Sequence, residues 1–184
     1  MPHEFTPWPK TKRLFRDIVV TEKLDGTNAA VHISEDGAEV TAQSRNRIIT
    51  PEADNYGFAS WVHANAGQLV DALGPGLHFG EWWGRGIQRR YGLDVRRFSL
   101  FNTERHADTN ADVDGVQVGP VPVLYQGPFS ETRIRVELAK LRLNGSVAAP
   151  GFMDPEGICV FHTQTRSVFK VTLDHNDAGK WEVA

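Results

Sequence analysis

A single cysteine, Cys159, occurs in the 184 residues, so an internal disulfide is excluded and a reducing cytoplasm is the compartment that fits. It lies in the apolar run Ile158-Cys159-Val160-Phe161. Core packing is its expected role, because a catalytic thiol needs a partner base that the sequence does not place. Runs of about 18 apolar residues are missing as well, which leaves no segment to cross a membrane as a helix. The opening MPHEFTPWPKTKR has no apolar stretch of the kind a secretory leader carries. The signatures GxxxxGK(S/T), HExxH, CxxC and GxSxG are absent, and the seven histidines show no metal-ligand spacing. The simplest phosphate-loop, zinc and serine-hydrolase readings therefore have nothing to rest on. Excess positive charge is also lacking. Twenty Lys and Arg against 23 Asp and Glu leave a formal charge of -3, which does not advertise a nucleic-acid partner. Local basic clusters (Lys10, Lys12 and Arg13; Arg85, Arg89 and Arg90; Arg96 and Arg97; Arg133 and Arg135) still permit one along a single face.

What is present is the composition of an ordinary globule, 40% hydrophobic and 23% charged, in a chain long enough to bury a core. The simplest organisation is one domain over residues 1–184. Two β-branched-rich strands are expected over 18–23 and 27–33, with Asp25-Gly26 between them as a hairpin-turn signal. Another strand is expected from Ala38 to Ser44. Phe58, Trp61, Val62, Ala66, Leu69, Val70 and Leu73 recur at intervals of three and four and predict one amphipathic helix, started by Asp54 or Asn55 and stopped at Gly74-Pro75-Gly76. LHFGEWW and RFSLFN read as strands. Ser130 and Asn144-Gly145 frame a second helix over Glu131 to Leu143. GICVFHT and SVFKVTL are the last strands, either side of a turn at Gln164 to Arg166. The polar stretch Glu104 to Gly119 reads as a long loop. Neighbouring strands with few helices predict an α+β domain built mainly on antiparallel sheet.

Charged and polar residues lodged in strand-like segments need partners or a ligand. They are Lys23 with Asp25 and Gly26, Arg45 after Ser44, Glu81 in FGEWWG, Glu156 before Gly157, and Lys170 in FKVT. Gathered into one cleft they suit a nucleoside triphosphate and a divalent cation. Of the two adjacent tryptophans, Trp82 and Trp83, at most one can line such a cleft, because neighbouring strand residues face opposite sides.

EKLDGTN, SR, FGEWWG, FSLFN, EGI and FK follow one another from Glu22 to Lys170. This order resembles the covalent nucleotidyltransferase superfamily, and within it the ATP-dependent RNA ligases of the phage T4 ligase-2 type. KxDG alone is a weak signal; the whole ordered set is a strong one. The resemblance implies a nucleotidyltransferase (ATP-grasp-like) domain, with mainly antiparallel sheets flanked by a few helices around a nucleotide cleft. It implies an ATP-dependent RNA ligase that joins a 3′-hydroxyl to a 5′-phosphate through a lysyl-AMP and an adenylated RNA end. ATP and Mg²⁺ or Mn²⁺ are the implied cofactors, and broken or nicked RNA is the implied partner.

By the same resemblance Lys23 is the nucleophile. A free lysine has a pKa of ~10.4, so baring its lone pair at neutral pH costs about 4–5 kcal/mol unless the site helps. Lys170 and Arg45 are implied at the phosphates, and Glu22, Asp25, Gly26 and Asn28 around the nucleotide. Glu81 is implied at the ribose hydroxyls, Phe101 (with Phe98 as competitor) against adenine, and Glu156 at the metal. Two features depart from the family. Its last motif reads KxK, whereas here Thr172 follows Lys170-Val171, so one cation is missing unless Lys180 or an arginine substitutes. Fourteen residues after Lys170 are also too few for an OB-fold or helical C-terminal domain, so RNA binding falls to the basic clusters or to a partner protein. The competing expectations are a DNA nick ligase, a capping-type enzyme using GTP, and a nucleotide or RNA-end binding module without turnover.

Overall fold

The computed structural model describes residues 3–174, and Lys180 lies outside them. Two sheets face each other. In the smaller, β1 (Asp17–Lys23) lies between β9 (Val123–Pro128) and β10 (Gly157–His162), and β11 (Ser167–Thr172) forms the edge beyond β10. The larger runs β4 (Ile48–Ile49), β3 (Val40–Ser44), β2 (Thr27–Ile33), β5 (Gly76–Gly84), β6 (Arg96–Leu100), β8 (Val116–Pro120), β7 (Ala111–Val113). Every pairing is antiparallel except β6 with β8. The α+β expectation holds.

The Asp25-Gly26 signal does not make a hairpin. β1 and β2 belong to different sheets, and Leu24-Asp25-Gly26 is the corner by which the chain leaves one sheet and enters the other. A Cβ on Gly26 would stand 2.4 Å from the carbonyl oxygen of Trp82 and 2.7 Å from Trp83 Cβ. The glycine is thus required by the backbone of β5 pressing on it. The polar stretch 104–119 also differs from expectation, since it holds β7 and most of β8. Asp114 and Gly115 between them, at φ 54° and 75°, make the left-handed two-residue turn that a tight hairpin needs.

Alternation along the strands then builds three cores. Ile18 and Val20 of β1 and Ile158 and Val160 of β10 pack beneath α3 (Glu131–Asn144) through Ile134, Leu138 and Leu141. The larger sheet lays Ala29, Val31, Ala42, Trp82 and Phe98 against α1 (Phe58–Ala64) and α2 (Ala66–Leu73). A third cluster gathers Leu24, Tyr91, Val121 and Ala149 from the connecting segments onto Trp83 of β5. Both tryptophans are therefore buried, one on each side of β5.

The single helix expected over 58–73 is broken at Asn65, whose φ −120° and ψ 22° leave the helical region. Its buried amide donates to the Trp61 carbonyl at 2.9 Å, so the broken turn keeps its hydrogen bonds. Gly57, not Asp54 or Asn55, holds the position before α1, but Asp54 accepts from the first-turn Ala59 and Ser60 amides at 2.8 and 3.0 Å. Ser130 accepts from the Arg133 amide at 3.3 Å and starts α3. No helix among the described residues is long and apolar enough to cross a membrane.

Because the Gly26 contacts are with backbone and a buried tryptophan, they have no room to yield. Gly26→Ala is expected to cost at least ~2 kcal/mol in urea unfolding. Gly67→Ala, at a glycine with nothing near its Cβ position, is the control expected to be neutral or stabilising.

Candidate active site

The site begins at the last residue of β1. Glu22 and Lys23 point to opposite faces. Glu22 is buried on the α3 side, where it accepts from the Ser146 hydroxyl at 2.6 Å and from the Val147 and Ala148 amides at 2.8 and 2.9 Å. Burial pushes its carboxyl pKa upward against those hydrogen bonds. The structure thus removes Glu22 from the expected nucleotide contacts: its carboxylate fastens the loop after α3.

Lys23 faces inward. In register, Lys23 stands opposite Gly157, which stands opposite Thr172; one step back, Thr21, Cys159 and Lys170 form the next row. Paired residues on adjacent strands share a face about 5 Å apart. Lys170 and Thr172, the two positions of the expected KxK pair, therefore lie on the Lys23 face, one bearing an amine and the other a hydroxyl. Cys159 lies on this same inner face, half-buried, rather than fully packed in a core as expected. Burial raises its thiol pKa.

Glu156 immediately precedes β10. Its Oε1 sits 2.5 Å from Lys23 Nζ, with the two side chains 17% and 23% exposed. Its Oε2 is buried with no hydrogen-bond partner. A buried carboxylate oxygen left unmatched costs about 1–3 kcal/mol or more, so this atom is the feature of the site that calls for a ligand. The donor chemistry fits a divalent cation that keeps most of its waters. Among the described residues no group of three or more His, Cys, Asp or Glu side chains is placed to hold a metal by itself.

The opposite wall comes from the larger sheet. Glu81 pairs in register with Asn28 on one side and Ser99 on the other, so these residues share the inner face. Glu81 Oε1 accepts from the Gly26 amide at 3.0 Å. Burial raises its carboxyl pKa to about 7, against the Gly26 hydrogen bond and the charge of Lys23. Phe98 is fully buried in the helix-side core and drops out as the stacking ring. Phe101 follows β6, and its amide donates to the Phe79 carbonyl at 2.9 Å. That bond carries the alternation one residue on, so Phe101 and the equally exposed Phe79 flank the inner face. Arg45 lies in the exposed turn one residue past the Ala29–Ser44 pair, at the same end of the sheet as Asn28.

Sequence reasoning missed Arg89 as a site residue, naming it only within a basic cluster. It is mostly buried, and Nε contacts Asp25 Oδ2 at 3.0 Å while Nη1 contacts Asp154 Oδ2 at 3.1 Å. Nη2 pairs with Asp174. One guanidinium thus holds the turn after Lys23, the loop before Glu156 and the end of β11. Tyr91 assists by accepting from the Asp25 amide at 2.8 Å. No periodicity marks these residues. The only signal was a run of cations in a glycine-rich loop.

The raised carboxyl of Glu81 has a consequence for stability. Its folded pKa of about 7 lies above the ordinary glutamate value of 4.5, so the folded chain binds the extra proton between those values. Its contribution is full below the lower value and lost as pH rises through the upper one. Glu81→Gln should therefore gain stability relative to the parent between pH 5 and pH 8, by ~2–3 kcal/mol, read as the difference between their urea unfolding curves.

The RNA ligase family model matches residues 16–172. An arginine-to-alanine mutant of Naegleria gruberi RNA ligase with ATP and Mn superposes at TM-score 0.62 with 20% identity, over 90% of this chain and 53% of that one. A glutamate-to-alanine mutant with AMP and Mn gives 0.62 at 19% identity, over 86% and 50%. A lysine-to-alanine mutant without ligand gives 0.58 at 20% identity, over 85% and 49%. The chain thus spans about half the length of these structures, and at such identities the likeness shows the fold. No curated protein sequence matches. The family match runs from the start of β1 to the end of β11, taking in both walls of the cleft and the corner between them: the chain belongs to the RNA ligase family.

Proposed function

We propose that the chain is an ATP-dependent RNA ligase, acting as one adenylation domain, that seals a 3′-hydroxyl to a 5′-phosphate through an AMP carried on Lys23. The observation that carries this reading is Lys23 at the corner of two sheets, paired to a glutamate whose second oxygen is buried and unmatched. The inward row holding Lys170 supports it. So does the neighbour in the RNA ligase fold that holds ATP and Mn.

In the first step Nζ of Lys23 attacks the α-phosphorus of ATP. Nζ gives up one proton to bare its lone pair, which Glu156 Oε1, at 2.5 Å, is in place to take, and a second to solvent as the N–P bond forms and the P–O bond to pyrophosphate breaks. Lys170 lies on the same face to offset charge on the α-phosphate as it becomes five-coordinate. Glu156 would hold a divalent cation, which when bound would supply further positive charge at the phosphates. Glu81 accepts from the ribose hydroxyls, Phe101 offers a ring to adenine, and Arg45 reaches toward phosphate or ribose. In the second step the RNA 5′-phosphate attacks the Lys23-bound phosphorus and frees the amine. In the third, the 3′-hydroxyl, oriented with help from Asn28, attacks the activated 5′-phosphate and AMP leaves.

Thr172 supports a second reading, a nucleotide or RNA-end binding module without turnover, because a hydroxyl stands where the family's second lysine is expected. With α-labelled ATP and Mg²⁺ the parent is expected to take up one label per chain and Lys23→Ala none. ATP bound without any adduct favours the second reading; label retained by Lys23→Ala refutes the nucleophile. GTP in place of ATP, and DNA nicks in place of RNA, separate the capping-type and DNA-ligase alternatives.

Thr172→Lys restores a cation to the row containing Lys23. It is expected to speed adduct formation about three- to tenfold, which corresponds to ~0.7–1.4 kcal/mol of transition-state stabilisation. A slower rate would show that the hydroxyl has its own use.

A further inference from the structure

The segment before β1 belongs to none of the cores. Residues 3–16 form no helix or strand and are exposed throughout, with Phe5 86% and Trp8 90% accessible. Large rings left almost wholly in water give the fold nothing, so their presence asks for a partner. The same stretch carries Lys10, Lys12, Arg13 and Arg16 against one carboxylate, Glu4, in a chain whose overall charge is -3.

The arm is also stiff. Thr6 and Trp8 each precede a proline, and a residue before proline is confined to extended backbone. Its root is fastened to the small sheet. The Arg13 amide donates to Gln164 Oε1 at 2.7 Å, His162 Nε2 donates to the Leu14 carbonyl at 2.9 Å, and the Phe129 amide donates to the Arg16 carbonyl at 2.9 Å. Phe15 sets its ring edge-on to Phe129, centroids 6.0 Å apart. Beside this root lies a hollow of about 340 Å³, apolar within and edged by Lys12, Arg13, His162 and Thr165.

We propose that this arm is a binding site for single-stranded RNA. Phe5 and Trp8 stack on bases while Lys10, Lys12, Arg13 and Arg16 follow the phosphates. Two exposed rings followed by four cations on one exposed arm offer both of the features an unpaired strand is held by, faces for its bases and charge for its phosphates. An apolar protein segment would use the rings but leave the cations without purpose. The site deepens the ligase reading and rests on it: β1 runs from the root of the arm to Lys23, about 17–20 Å at ~3.3 Å per residue. That is the length of a few nucleotides, so the arm grips RNA a short way from the end being sealed.

The test measures fluorescence anisotropy of a labelled 12-nucleotide single-stranded RNA with the full chain. Phe5→Ala with Trp8→Ala should weaken binding at least ~tenfold, and Trp8→Phe should stay within about threefold of the parent. Lys10→Ala with Lys12→Ala should reduce the salt slope by ~1.4. Lysyl-AMP formation from ATP alone, measured in parallel, should stay within about twofold in all variants. Loss of the adduct in the parent would strike the ligase reading, whereas the anisotropy strikes only the arm. RNA affinity unchanged in the double aromatic variant would overturn the proposal and assign the rings to a protein partner. An equal loss on a blunt RNA duplex would overturn it too, since paired bases offer no faces for stacking.

Discussion

The ion pair between Lys23 and Glu156 is short and largely shielded from water, and it is set by one strand register in the smaller sheet, where Lys23 stands opposite the residue after Glu156. Lys23 ends β1, and the next three residues carry the chain into the larger sheet. Any slip of β1 by one residue would put Glu22 in the cleft and Lys23 in the α3 core. The buried Glu22 guards against that slip, because its three hydrogen bonds to the loop after α3 exist in one register only. A carboxylate that looks like part of the chemistry thus works as the pin that aims its neighbour.

Charge in the cleft is arranged in the same spirit. Asp25, Glu81 and Glu156 converge around Lys23, with Asp154 and Asp174 close behind, an acidic set that would repel both itself and a triphosphate. Arg89 gathers Asp25, Asp154 and Asp174. Glu81 is pushed toward its neutral form by burial, and Lys23 occupies one oxygen of Glu156. What is left over is the second oxygen of Glu156. The site is balanced internally except at the atom where a cation would bind, which is the pattern expected of a pocket that recruits metal together with a nucleotide.

Much of this was legible in the sequence wherever local chemistry decides. β1, β2, β10 and β11 follow from β-branched alternation, and α3 from Ser130 and Gly145 at its ends. Two Asp-Gly dipeptides show where local reading stops. Asp114-Gly115 is a true hairpin turn, overlooked because its strands are short and polar. Asp25-Gly26 has the same signature yet turns between sheets, since what sits over Gly26 is the backbone of Trp82, remote in sequence. The face of Cys159 and the partners of Arg89 were hidden for the same reason. In a run that is apolar at every position, only the register with β1 and β11 says which side chain looks inward, and an arginine in a glycine-rich loop carries no mark of the three carboxylates it will meet.

The claim on which the account turns is that the amine held by Glu156 is the group that takes AMP. A crystal structure of the chain after reaction with ATP and Mg²⁺ tests it most directly. The account predicts continuous density from Lys23 Nζ to the phosphorus of AMP, with Glu156 separated from the amine and its second oxygen facing a hydrated cation. An intact Lys23–Glu156 pair, with the nucleotide bound elsewhere or joined to another side chain, would contradict it.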